Sequence, residues 1–354
     1  MTDNIVAGVY MERNGAMVIR AAKRDKIPWP EIEVLDYEDF HWDPNDPQEA
    51  EHYLAEIGAL LVESGAALRS VAVASYGPFV SLKRSSPSYG IVHPKISDRP
   101  LRGQNWRELF HEGLVKQGAR EDLLIRIHTD SNACALGEAV ARDLPRDHVL
   151  AYLTVTDGVG LGVVTGREIR SSALHPEIGM LHVRYDKDDK LKPPKEANLY
   201  AGSLSSMADN RALLERQSAI LGGVPTTKQM IRDIRSDRFW EMRAYYLAQA
   251  CLATTVMLTP HQIVVEADID AVDMGPDYTA ASLTRQKFYR LLEERRHEGA
   301  PVFEYDELSS RATFITGSTA IAGFDDVAPF RVTGAIGMCQ AAAMAKRKAD
   351  VSKA

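Results

Sequence analysis

The stretch IHTDSNACALGEA, residues 127–139, decides how this chain is read. It follows directly on LLIRI (123–127), an apolar run with the composition of a buried strand. It delivers an aspartate, Asp130, to the point where the helical pattern SNACALGEAVARD begins. A carboxylate at that junction has two readings. Asp and Asn are favoured helix caps, because their side-chain oxygens accept the free N–H groups of the first turn. The carboxyl end of a strand in an α/β sheet is also where such folds mount groups that meet a ligand. Which reading holds depends on what surrounds the stretch.

Working outward, NIVAGVY (4–10) and AMVIRAA (16–22) are short apolar runs joined by MERNG, whose Asn14-Gly15 pair signals a hairpin. A capped helical pattern over 43–65, the apolar strand SVAVASYG (70–77), and the helix NWRELFHEGLVKQG (105–118) lead back to residue 123. The alternation predicts an α/β amino-terminal lobe over residues 1–145. A second hairpin, HVLAYLTVTDGVGLGVVTG (148–166), repeats the opening layout and starts a lobe over 146–354. That half carries the polar stretch 184–198, a long helix over 238–259, strand QIVVEA (262–267), a helix over 279–298, strand ATFITG (312–317) and a final helix over 336–350.

A chain of 354 residues, 45% hydrophobic and 26% charged, is long enough for two core-bearing lobes. Its formal charge of −7 lacks long like-charge blocks, which argues against a nucleic-acid partner or an anionic membrane surface and for a small ligand. Cys134, Cys251 and Cys339 are widely spaced within helical patterns, so they predict buried thiols and neither disulfides nor a compact metal site. The first residues show no secretory pattern and no run of 18 apolar residues occurs, so the cytoplasm is expected.

Four pieces in order carry a family resemblance: SYGP (75–78) with SPSYG (86–90), TDSNACALGE (129–138), LTVTDGVGLGVV (153–164) and HPEIG (175–179). Together they resemble the ROK sugar kinases, most closely the bacterial fructokinase-like branch. There the matching stretches read close to SFGP, SPTYG, TDVNAAALGE, LTVGTGIGGGVV and HPEMGH. The resemblance implies a two-lobed actin-like ATPase (ribonuclease H-like) α/β fold with a ligand cleft between the lobes. It also implies that Asp130 takes the proton from a sugar hydroxyl, which needs a carboxylate within hydrogen-bond reach. Asn132, Glu177, His175 and Tyr200 fall at the substrate-side positions. Asn132 also reads as a capping residue, and Glu177 as a solvated loop acid. His175 and His182, without partner ligands, read as packed or surface residues.

The departures are as informative. The family's first phosphate hairpin reads like EAGGTK, where this chain has YMERNG (10–15), with Glu12, Arg13 and Asn14. The second reads like GTGIGGG, where this chain has TDGVGLG (156–162), with Asp157 ahead of Gly158 and Gly160. The adenosine-side IVLGGGV has become IVVEADI (263–269), with Glu266 and Asp268 filling a turn expected to need glycine. Each change has an ordinary reading as turn or loop chemistry. Jointly they set carboxylates against a polyphosphate, a juxtaposition costing on the order of several kcal/mol unless a metal or an arginine intervenes. Met180 replaces the last histidine of HPEMGH, and 184–200 holds no cysteine, so no zinc site is expected.

The sequence therefore points first to a sugar- or polyol-recognising protein of carbohydrate metabolism, with transfer from ATP lost or reworked and no assured cofactor. Two alternatives stand beside it: an ATP- and Mg2+-dependent hexose kinase with Asp130 as base, and a sugar hydrolase built on Glu12, Asp157, Asp130 and Glu177. A repressor role is disfavoured, because no helix-turn-helix precedes the first strand. A homodimer is compatible with all of these.

Overall fold

The computed structural model describes residues 4–12, 14–23, 32–43, 46–95, 102–170, 176–189, 202–220, 237–267, 313–316 and 329–351, with the single positions 290, 292, 294 and 321. The chain separates into two compact units. The first holds Met1–His148, Gly162–His175 and Ser318–Ala354, and the second Val149–Leu161 and Pro176–Gly317. The carboxy-terminal segment thus returns to the unit of the amino-terminal sheet, whereas a linear cut at 145 assigns it to the other.

In the first unit β1 (Ile5–Met11) and β2 (Gly15–Lys23) form the expected hairpin. β4 (Leu68–Ser75) and β5 (Leu124–Thr129) join parallel on the other side of β1. The sheet reads β3-β2-β1-β4-β5. Strand β3 (Ile32–His41) is a finding that the sequence pattern does not announce. Its residues from Glu33 to Glu38 are exposed, so no apolar alternation marks it. Charged, solvent-facing residues are usual on an edge strand, where they discourage further pairing. Arg20 ties this edge down through Asp36, at 2.7 and 2.8 Å.

One face of that sheet buries Val9, Val18, Val71, Val73, Ile125 and Ile127 against Ile57 and Leu61 of α1 (Pro47–Val62) and Trp106 and Leu114 of α2 (Trp106–Lys116). The N-cap of α2 is Asn105, which accepts from the amides of Arg107 and Glu108. α3 (Asp130–Ala141) and the last helix, α7 (Pro329–Val351), pack together over the same unit. Their contact is backbone to backbone: a Cβ on Gly137 would strike the carbonyl of Thr333. Ser70 Oγ donates to Ala342 O of α7 at 2.7 Å, and Cys339 Sγ to Ile19 O at 3.1 Å. All three cysteines are buried thiols outside any disulfide.

The second sheet, in the order β10-β9-β6-β7-β8, is built from β6 (Val149–Val155), β7 (Val159–Thr165), β8 (Glu168–Ile169), β9 (Gln262–Ala267) and β10 (Thr313–Thr316). The second unit carries α4 (Leu204–Ala208), α5 (Asn210–Ile220) and α6 (Asp237–Leu258), while the end of β7 and β8 count with the first. Arg243 of α6 is fully buried and spends its guanidinium on Ala208 O and Asn210 Oδ1, both at 2.9 Å. Asp189, from the polar stretch, is held by Arg216 at 2.7 Å and by the Tyr246 hydroxyl at 2.8 Å. The helix expected over 279–298 lies outside the described residues except at 290, 292 and 294, which are helical. Among the described residues no helix is long and apolar enough to cross a membrane.

Candidate active site

The parallel strands of the first unit end level with one another, Met11 opposite Ser75 and Ser75 opposite Thr129. The residues just past each strand therefore lie along one edge: Glu12 after β1, Tyr76-Gly77-Pro78 after β4 and Asp130 after β5. The carboxyl edge of parallel strands is where open α/β sheets receive ligands.

Asp130 is the first residue of α3, half-buried, and the chain passes from strand to helix without a loop residue. The cap position belongs to Thr129, whose side chain makes no capping bond. Asp130 instead uses Oδ1 alone, accepting from Ser131 N at 2.7 Å and Ser131 Oγ at 3.3 Å. Among the described residues no hydrogen bond reaches its other oxygen, Oδ2. One oxygen anchored and one available is an arrangement suited to a general base.

Asn132 is 1% exposed, and its Oδ1 accepts from Val163 N of β7 at 3.4 Å. It is neither a cap nor a surface contact, but fastens β7 to the first turn of α3. Gly162, the residue before, permits that approach, because a Cβ there would overlap the carbonyl of Ser131.

The first hairpin forms as expected, and its Glu12 has a partner that the sequence does not announce. Glu12 N donates to Gly15 O at 2.8 Å, closing the turn, and Trp42 N donates to the carbonyl of exposed Asn14 at 3.0 Å. The Glu12 carboxylate is paired with Arg331 of α7 at 2.7 Å. Arg331, with a side chain 6% exposed, also meets Asp39 at 2.8 Å and His41 Nε2 at 3.2 Å. The Glu12 amide is thus spent in the turn, and its carboxylate stands there paired with an arginine, an arrangement different from a glycine-rich phosphate cradle. Removing the cation in Arg331→Met takes the arginine from two half-buried carboxylates, Glu12 and Asp39, and leaves Asp39 with His41 at 3.1 Å. Urea unfolding should then show a loss of about 2 kcal/mol, and a loss under about 0.5 kcal/mol, the usual scale of an innocuous surface change, would refute that role.

In the second unit Asp157 is half-buried in a tight turn that Thr156 N closes on Gly158 O at 2.9 Å. Half-buried Gly160 follows on β7, and Ser205 Oγ accepts from Val159 N at 3.0 Å. The expectation that Glu266 fills a turn is corrected: it lies within β9 opposite Thr154 and is 8% exposed. The ladder with β6 runs on past Glu266 to Ala267, so the acid is a sheet residue. Glu177 is exposed, precedes the 3-10 turn Ile178–Met180, and makes no side-chain capping bond there. Arg13, His175, Tyr200 and Asp268 lie outside the described residues. Among the described residues no group of three or more His, Cys, Asp or Glu could hold a metal ion.

A row of basic side chains on β5 is the feature that no motif marks. Arg126 and His128 share one face of the strand, opposite to Ile125 and Ile127, which enter the core. The His128 imidazole is held down to about 3, first by burial and then by Arg84 and Arg126. An unfolded histidine titrates near about 6.5. Between those values the unfolded chain binds a proton that the folded chain refuses, so stability falls as pH is lowered through this window and is untouched by this group above it. Unfolding midpoints compared at about pH 7.5 and about pH 4.5 should fall more in the wild type than in His128→Gln; equal falls would contradict the assignment.

The ROK family model matches residues 31–298. A fructokinase of Streptococcus mutans serotype c (strain ATCC 700610 / UA159) is 26% identical over 228 residues, 64% of this chain and 69% of the relative. The ROK hexokinase from Thermus thermophilus superposes with a TM-score of 0.64 at 16% identity, over 97% of this chain and 99% of its own. A ROK family transcriptional regulator, homolog of the E. coli MLC protein, does so with a TM-score of 0.63 at 15% identity, over 95% of this chain and 78% of its own. The fold is the two-lobed actin-like ATPase fold of α/β class. It serves both enzymes and regulators, so function rests on the residues of the site. The family match spans most of the sequence, and this chain belongs to the ROK family.

Proposed function

We propose that this protein recognises a hexose-like sugar or polyol through Asp130, and that transfer of phosphate from ATP has been lost or reworked. The observation carrying this reading is the contrast within the first unit between the two strand ends. After β5, Asp130 keeps an oxygen available at the sheet's carboxyl edge. After β1, the hairpin places a carboxylate locked to Arg331 where the family resemblance expects a glycine-rich phosphate cradle. The second hairpin adds to the case, because its Thr156 and Val159 amides are already engaged. Asp130 would accept the proton of a bound hydroxyl, with Ser131 fixing the carboxylate's orientation.

A working ATP-dependent hexose kinase is the second reading, and Arg331 favours it. By neutralising Glu12 it removes part of the like-charge conflict with a polyphosphate. The paired-carboxylate hydrolase is weakened by the same ion pair, since Glu12 is engaged. Calorimetry on the full chain, with a panel of neutral hexoses and polyols and separately with ATP plus Mg2+, separates the readings. Sugar binding with MgATP no tighter than about millimolar is the expected result. Micromolar MgATP would turn the assignment to the kinase, and no sugar bound at all would overturn both.

A further inference from the structure

We propose that β5 and the loop pinned to its edge form an oxyanion subsite, in which Arg84, Arg126 and His128 hold the phosphate or carboxylate of an acidic sugar whose hydroxyl faces Asp130. This specifies the substrate class of the preceding reading and rests on it.

The placement comes from Tyr89. β5 is the outer strand of its sheet, and the backbone of Ile127 would face outward unpaired. Tyr89 answers this with one hydroxyl, accepting from Ile127 N at 2.8 Å and donating to Ile127 O at 3.3 Å. The loop is thereby fixed to the strand at the residue between Arg126 and His128. Arg84 sits in the preceding turn, which Ser86 N closes on Lys83 O at 2.8 Å. Gly90, next to Tyr89, lies against Ile127 and Arg107. Three guanidinium groups, Arg84, Arg107 and Arg126, consequently act on Tyr89.

Among the described residues these charges are uncompensated. The groups acting on Arg126 are Arg84, Arg107 and Tyr89, and those acting on His128 are Arg84 and Arg126; no carboxylate is among them. Arg126 Nε is sequestered from solvent and has no hydrogen-bond partner among the described residues. A buried donor left unpaired costs stability, and a cluster of like charges adds to that cost. Such groups persist where a ligand completes them, and a planar guanidinium with a neutral imidazole beside it offers several N–H donors to one oxyanion. The row has a direction as well. Arg126 and His128 stand at alternate positions of β5, about 6–7 Å apart along the strand, and Asp130 opens α3 two residues further on.

The test is calorimetry on the full chain with D-fructose, D-fructose 1-phosphate, D-fructose 6-phosphate, D-glucose, D-glucuronate and inorganic phosphate, against wild type, Arg126→Met and Arg84→Gln. At least one acidic sugar should bind about tenfold or more tightly than its neutral parent. That ratio should fall to about one in Arg126→Met and fall in Arg84→Gln, whose exposed position makes misfolding no explanation. Because Arg126 Nε is unpaired in the free protein, its replacement should leave the unfolding midpoint unchanged or raised. A wild-type ratio near one overturns the subsite while leaving the sugar reading intact, as does a ratio that Arg126→Met does not alter. Inorganic phosphate bound in an Arg126-dependent manner, with no sugar bound, supports the subsite and overturns the sugar reading instead.

Discussion

Asp130→Asn should lower any sugar-dependent turnover by about 100-fold or more, the usual contribution of a positioned general base, while barely changing stability. The geometry separates the two effects. Asparagine keeps an Oδ1 that can accept from Ser131 N, so the 2.7 Å anchor survives. What is lost is the negative charge on the oxygen that no described group engages. A negative charge in the first turn also favours the helix dipole, so a stability loss of up to about 1 kcal/mol is allowed for. If the protein binds sugar without turning it over, the same change should appear as a loss of about 10- to 100-fold in affinity, the value of one hydrogen bond to a charged group. Unchanged turnover and unchanged affinity would reduce Asp130 to a helix-end residue. A large drop in the unfolding midpoint would mark it as structural.

The reading of Asp130 shows where sequence reasoning reaches and where it stops. That a strand ends and a helix begins near residue 130 is legible, because the apolar run and the small-residue helix meet there. The position of the cap is not, since Thr129 and Asp130 are both acceptable caps and the absence of a loop residue is settled only by packing. The opening hairpin and the strand-helix alternation are equally readable, because each strand is apolar on at least one face. β3 is not, since an edge strand that shows charges to solvent lacks the alternating signal. Glu12 is the sharpest case. Its meaning depends on Arg331, which reaches it only because α7 packs back over β1, and no local pattern links the two. The row on β5 escapes for the opposite reason: Arg126 and His128 match no motif, and their interest lies in the absence of a carboxylate among the described groups that act on them.

Gly162→Ala should destabilise the protein by about 3 kcal/mol, the upper part of the usual range for overpacking a filled site. A Cβ at this position would overlap the carbonyl oxygen and carbon of Ser131 and lie 2.8 Å from Asn132 N. These are backbone atoms of the first turn of α3, so no side chain can rotate away. The strain can be relieved only by moving β7 or the helix start, and the second option carries Asp130 with it. Loss of sugar affinity should therefore exceed what the residual folded fraction explains, when measured at a temperature where most molecules remain folded. Gly113→Ala is the matched control. It adds the same methyl group inside α2, where nothing lies within 4 Å of the new Cβ. There the helix propensity of alanine should raise stability by up to about 1 kcal/mol. Opposite signs for one chemical change at two glycines would tie the effect to the contact between β7 and α3. Equal signs would mean that the first turn of α3 can shift freely, and would remove the support on which the placement of Asp130 depends.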